Sequence, residues 1–235
     1  MTAVDREPAG PGTVLVTGGA SGLGAAVAQA VGKAGGVAVV LDRAEPPFGV
    51  EHIVVDLADG RAAEAAVRGV AERHGGLDAV VTAAGIDASG PLTGVPAEDW
   101  ERVVKVNLLG TAAVVRAALP YLERRQGRVV TVASTLGLRA VSDATAYCAS
   151  KFGVVGFTRA LAAETAGRVG VTMLVPGGMR TSFFDNRPEQ YKPPADARLN
   201  RPEDVAETVL FALRQPPGCE VRELVVCPST ESSWP

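Results

Sequence analysis

Histidine and cysteine are nearly missing from this chain of 235 residues, which has two histidines, His52 and His74, and three cysteines, Cys148, Cys219 and Cys227. None stands at metal-ligand spacing, so a metal site is not expected. An odd set of thiols without a disulfide framework suits reduced cysteines and a cytoplasmic setting. Cys148 has no partner base nearby and reads as a small filler. An excess of charge of one sign is lacking too: 23 basic residues face 26 acidic ones, spread along the chain for a net charge of −3. That leaves no basic patch for nucleic acid and no polybasic tether for a membrane. No apolar run approaches the roughly 20 residues of a membrane span. The opening MTAVDREPAGPG carries acids where a signal peptide has its apolar core. Its prolines and glycines predict a flexible arm over residues 1–11.

What is abundant is aliphatic. Hydrophobic residues make up 47% of the chain, which argues against disorder and for a well-buried core. Short β-branched runs at 13–17, 37–41, 52–55, 79–83, 128–133, 171–175 and 223–227 are continuous and do not alternate. Strands buried on both faces have this pattern. Alanine-rich segments of helical spacing lie between them, at 22–34, 60–74, 96–125, 145–166 and 202–214. The alternation predicts an α/β, doubly wound parallel sheet in one domain over 12–235. Asn107, Gly110 and Pro120 interrupt the segment 96–125, which predicts a bent helix or two helices run together. The stretch 176–200 has no periodicity and is expected to be a substrate-binding loop.

The segment TVLVTGGASGLGAAVAQAVGK is a buried strand, a glycine-rich turn and a helix. Gly18, Gly22 and Gly24 allow backbone amides to approach a pyrophosphate, and the helix N-terminus favours its charge. The next strand ends in Asp42, whose carboxylate suits ribose hydroxyls and repels a 2′-phosphate. NAD is therefore favoured over NADP, although Arg43 keeps the second cofactor in view.

A tyrosine and a lysine stand four residues apart in YCASK, Tyr147 to Lys151, in a chain where lysine is scarce beside arginine. On a helix they share one face, about one turn apart. Several further motifs fall in order along the chain. Asp56 and Leu57 follow the third strand, VNLLG contains Asn107, Ser134 ends the fifth strand, and PGGMRT contains Pro176, Gly177 and Thr181. Together with TGGASGLG, they resemble the classical short-chain dehydrogenase/reductase family from about residue 12 to 227. The resemblance implies a Rossmann-type fold with a seven-stranded parallel sheet flanked by helices, and a homotetramer or homodimer. It implies Asn107, Ser134, Tyr147 and Lys151 as catalytic residues. The cofactor would be held by Gly18, Ser21, Gly22, Leu23, Gly24, Asp42, Arg43, Asp56, Leu57, Ala83, Ala84, Gly85, Pro176, Gly177 and Thr181, with Tyr147 and Lys151. One departure stands out: Thr82 occupies the place of the family's usual asparagine.

The chemistry so implied is hydride transfer between a nicotinamide cofactor and a secondary alcohol or ketone. Proton transfer at oxygen must accompany it. A tyrosine with its ordinary pKa of about 10 is a poor base near neutrality, and the Lys151 ammonium is expected to favour the phenolate. Ser134 would polarise the substrate oxygen, and Asn107 would hold a water linking Lys151 to solvent. The alternatives are an NADP-linked 3-oxoacyl-thioester reductase and a cofactor-binding sensor without activity. Phe183, Phe184 and Tyr191 are expected to line an apolar pocket, Arg139 and Arg180 to be solvated, Trp100 to pack at a helix start, and Trp234 to dock on a neighbouring subunit or fray.

Overall fold

Unbroken apolar runs become the strands of a single parallel sheet in a computed structural model, which describes residues 10–234. The strands are β1 (Thr13–Thr17), β2 (Val37–Asp42), β3 (Glu51–Val54), β4 (Ala79–Thr82), β5 (Arg128–Val132), β6 (Gly170–Pro176) and β7 (Glu223–Val226). They pair in the order β3-β2-β1-β4-β5-β6-β7. β1 shows why its run is continuous. Val14 and Val16 pack into the core beneath α1 (Gly22–Lys33) and α6 (Pro202–Leu213), while Leu15 packs beneath α2 (Gly60–Arg73) and α4 (Thr111–Arg125). All three side chains are fully buried. α3 (Ala97–Val104) and α5 (Thr145–Glu164) complete the set.

The edge strands depart from the expected burial. In β3 Val54 is 64% exposed, and in β7 Val225 is 40% exposed. An edge strand has a neighbour on one side only, which an apolar run does not reveal. The strand order reverses between β1 and β4, and a crevice opens there at the carboxyl ends of the strands.

The bend expected in 96–125 is a π-helical turn, Lys105–Gly110, between α3 and α4. Such turns concentrate at functional sites. At Gly110 a β-carbon would lie 2.8 Å from the Leu57 carbonyl oxygen, so glycine lets the turn press against the loop after β3. Pro120 sits inside α4 without ending it. Because the turn does not break the helical run, Ala97–Arg125 is long enough to cross a membrane and holds an 18-residue window apolar enough to do so, with mean hydropathy 1.4. That corrects the expectation that no such run exists, yet 56% of its apolar window is buried within the protein, as in a core helix. Of the arm expected over 1–11, residues 1–9 lie outside the described part; Pro11 is buried against Gly36.

Candidate active site

The glycine-rich turn joins β1 to α1. Gly18 (φ +70°) and Gly22 (φ +53°) are left-handed, a region that L side chains rarely adopt. A β-carbon on Gly18 would stand 2.6 Å from the Ala84 α-carbon, and one on Gly22 would stand 3.3 Å from the Thr181 side chain. The turn is thus pressed against the segment that follows β4 and faces the loop after β6 across the crevice. Ser21 leaves the start of α1 without a side-chain cap, so first-turn amides remain to meet an anion. Asp42 holds the turn in place: one carboxylate oxygen accepts from the Ala20 amide and the other from the Ala44 amide, both at 3.0 Å. An ionised carboxylate has lone pairs left for ribose hydroxyls after those two bonds. These features fit a dinucleotide.

The crevice is a cleft of about 1200 Å³. Its walls include the turn residues Gly18, Ser21, Gly22, Leu23 and Gly24, and then Asp42, Arg43, Asp56 and Leu57. Ala83, Ala84 and Gly85 after β4, and Pro176, Gly177 and Thr181 after β6, line it as well, as do Ser134, Tyr147 and Lys151. Asp56 does not stand free. It pairs with Arg102 at 2.7 Å and accepts from the Ala58 amide at 2.9 Å. Burial pushes its carboxyl up, but Arg102, the Ala58 amide and the Arg43 charge outweigh that and hold it below the usual range.

At the other end of the cleft three elements converge. Ser134 follows β5, and its hydroxyl accepts from the Leu136 amide at 3.1 Å. Tyr147 and Lys151 sit one turn apart near the start of α5, with the ammonium 5.6 Å from the phenol ring centre. Lys151 Nζ donates to the Val132 carbonyl at 2.8 Å. Both side chains are buried, and this sets their proton affinities. Burial pushes the Tyr147 hydroxyl up to about 12, the hydrogen bond with Ser134 acting the other way, and burial brings Lys151 down to about 8. Burial therefore favours the protonated phenol in the protein alone, against the lysine-stabilised phenolate expected, and the groups that oppose it are Ser134 and Arg187.

Asn107, on the π-helical turn, is 1% exposed and lies behind the cleft wall. Its amide donates to the Ile86 carbonyl at 2.9 Å and to Ser150 Oγ at 3.0 Å, and accepts from the Ile86 amide at 2.9 Å. Its own carbonyl accepts from Thr111 Oγ1 at 2.9 Å. Its side chain thus clamps the strand-end segment rather than facing the cleft. Thr82 stands in register between Thr17 and Thr131, and its buried hydroxyl has no partner. Among the described residues no group of His, Cys, Asp and Glu could hold a metal ion. All three cysteines are free, and Cys148 is buried.

The pattern of the family described as short chain dehydrogenase matches residues 12–192. The chain belongs to this family. It is 32% identical over 216 residues to the 3-oxoacyl-(acyl-carrier-protein) reductase FabG of Thermotoga maritima, covering 84% of this chain and 88% of that one. Among solved structures it is similar to an alcohol dehydrogenase of Thermococcus sibiricus complexed with 5-hydroxy-NADP, at 25% identity and a TM-score of 0.82, with 92% and 95% of the two chains covered. A short chain dehydrogenase of Burkholderia cenocepacia J2315 in complex with NADP is also similar, at 26% identity and a TM-score of 0.82, covering 94% of this chain and 98% of that one.

In this short-chain dehydrogenase several cleft residues carry no motif. Glu231, in the C-terminal tail, accepts from the Gly178 amide at 2.7 Å and binds the Ser233 hydroxyl at 2.7 Å. Ser233 reaches Thr135, next to Ser134, also at 2.7 Å. Arg139, exposed as expected, also donates to the Ser232 carbonyl at 2.9 Å. Asp87 and Arg187 form an ion pair of 2.6 Å across the cleft mouth. Only contact in space links these residues, so sequence spacing had nothing to offer. Phe183 and Phe184 line the cleft as expected, with Phe183 at 5.6 Å from the Tyr147 ring, whereas Tyr191 lies outside it. Trp100 donates to Thr145 at 3.1 Å, joining α3 to the start of α5, and Trp234 is 37% exposed.

Proposed function

We propose that this protein is a cytoplasmic, NAD-linked oxidoreductase that interconverts secondary alcohols and ketones, with residues 12–235 as one catalytic domain. The observation that carries this reading is the shared cleft: Ser134, Tyr147 and Lys151 line one end and Asp42 the other. The turn after β1 and the amides of α1 hold the pyrophosphate, Asp42 the adenosine ribose, and Asp56 with Leu57 the adenine side. Lys151 and Tyr147 hold the second ribose, and Pro176, Gly177 and Thr181 the nicotinamide side. A bound nicotinamide supplies or accepts the hydride at the substrate carbon. Tyr147 donates the proton to the carbonyl oxygen or takes it from the alcohol, and Ser134 holds that oxygen in place. Asn107 fixes the wall behind them. The resting phenol keeps its proton at neutral pH, which suits carbonyl reduction.

A second reading, an NADP-linked 3-oxoacyl-thioester reductase, rests on the similarity to the Thermotoga enzyme. Asp42 argues against NADP. Two unit charges about 4 Å apart interact by roughly 4 kcal/mol at intermediate dielectric, and Arg43 already bears on Asp56. Calorimetric titration is expected to give NADH a dissociation constant at least about tenfold below that of NADPH, with Asp42→Ala narrowing the gap. Equal constants would remove the NAD assignment. Reduced-nicotinamide absorbance followed with a panel of ketones, secondary alcohols and 3-oxoacyl thioesters tests the reaction itself; no turnover with any of them rejects the oxidoreductase.

A homotetramer or homodimer is part of the same proposal, supported by large apolar side chains left exposed: Leu109 on the π-helical turn and Phe152 on α5, 56% and 45% exposed, and Phe211 on α6 and Val225 on β7, 56% and 40% exposed. Apolar side chains exposed on several elements of one chain suit burial against further copies of it, and a dihedral homotetramer is the form expected. Light scattering at micromolar concentration is expected to show it, with Phe152→Glu giving a smaller species; a stable wild-type monomer would contradict it.

A further inference from the structure

The loop between β6 and α6 is pinned at its neck. The Arg180 amide donates to the Asn200 carbonyl at 2.9 Å, and the Asn200 amide to the Gly178 carbonyl at 3.0 Å. Beyond that neck, residues 181–199 make hydrogen bonds and ion pairs within themselves, such as Lys192 with Glu189 and Arg187 with the Tyr191 carbonyl. Among the described residues there is one exception, the ion pair of Arg187 with Asp87.

Both ends of that pair are built. The Asp87 side chain is 5% exposed, and it also accepts from the Ala88 amide at 2.7 Å and from Ser89 Oγ at 2.8 Å. The residue before it, Ile86, is held at both its amide and its carbonyl by Asn107. The Arg187 guanidinium lies 5.1 Å from the Phe183 ring centre and 4.7 Å from that of Phe184. Phe183 in turn packs on Tyr147.

We propose that Arg187 is a positioning residue which closes the loop over Tyr147, with Asp87 as its fixed anchor in the segment after β4. The inference rests on Tyr147 being the proton-transfer group. The pair is a latch rather than a permanent strut. Beyond the neck a single polar contact among the described residues ties the loop down, beside the packing of Phe183 on Tyr147, and closure leaves Arg187 Nε buried without a partner. An orphaned buried donor regains water when the loop opens, so closure is opposed as well as favoured. With the loop shut, the Phe183 ring, backed by the guanidinium, covers the phenol and excludes water from the reacting oxygen.

Amide hydrogen exchange on the full chain tests this without recourse to turnover. Arg187→Gln and Asp87→Asn are each expected to speed exchange over 181–199 by about tenfold or more, with β1, β4 and β5 unchanged. The double variant should add little to either single change, because both remove one interaction. Arg187→Lys keeps the charge without the planar stacking and should fall between wild type and Arg187→Gln. In steady state the KM for a ketone should rise about tenfold, with a smaller change in kcat. Loop exchange in Arg187→Gln and Asp87→Asn within about twofold of wild type would overturn the latch. If either variant also loosened the core strands, Arg187→Lys would decide, and wild-type loop exchange there would overturn it too. A wild-type protein without nicotinamide turnover would instead sink the oxidoreductase reading, leaving the exchange result to stand by itself.

Discussion

Tyr147→Phe is expected to lower turnover by about 10² to 10⁴, the range for loss of general acid-base catalysis. The ring is 9% exposed and packs on Phe183 at 5.6 Å, and phenylalanine keeps both the volume and that contact. Thermal stability and NADH affinity should therefore stay close to wild type. The proton is what goes. Because burial lifts the hydroxyl to about 12, the phenol enters carbonyl reduction fully protonated. Reduction should be level from about pH 6 up to the region near 8 where Lys151 titrates. Oxidation of the alcohol needs the phenolate and should climb with pH through the same window. Stopped-flow and steady-state rates for both proteins over this range provide the check. Near-normal turnover in Tyr147→Phe would mean that another group moves the proton.

The raised hydroxyl also shows where sequence reading reaches its limit. A lysine one turn from a tyrosine is visible in YCASK, and it suggested a lowered pKa. The opposite shift comes from how completely Tyr147 itself is buried, a property of packing that spacing does not encode. The same division holds through the fold. Val14, Leu15 and Val16 in one unbroken run announce a strand buried on both faces, and the structure bears that out. Val54 and Val225 belong to runs of similar composition, yet their strands lie at the sheet edges, because position in a sheet depends on which strands pair. Asn107 and Gly110 signalled a disturbed helix, and its form, a π-helical turn, follows from how Gly110 meets Leu57. The residues proposed to hold the cofactor fall on strand ends and turns, where local sequence is informative. Asp87 and Arg187 are 100 positions apart, and Glu231 sits in a tail of small polar residues. Only the closed geometry of the cleft joins them.

Lys151→Met should abolish measurable turnover and at the same time make the free protein more stable. The ammonium is 3% exposed, with one protein partner, the Val132 carbonyl at 2.8 Å. A fall of its pKa from 10.5 to about 8 corresponds to roughly 3 kcal/mol of preference for the neutral form in the folded protein. The sign follows from linkage. Between about 8 and 10.5 the unfolded chain holds a proton that the folded chain has released, so stability rises with pH across that window. Below about 8 both states are charged, and the fold bears the whole cost of the buried ion. Methionine matches the aliphatic stem without the charge. It leaves the Val132 carbonyl unpaired, a loss of about 1 kcal/mol or somewhat more, which is smaller than the gain. For a chain of this size, a net gain of about 1 kcal/mol moves the melting temperature by roughly 2–4 °C. Calorimetry of the free protein at pH 7 should show that rise, and it should shrink as pH climbs past the lysine's titration. Titration with NADH should show weaker binding, because the ribose loses a charged donor. Lys151→Arg keeps the charge in a bulkier, planar group and should recover part of the affinity but little of the rate. A melting temperature below wild type in Lys151→Met would mean that Lys151 is held there for the fold and not for the chemistry.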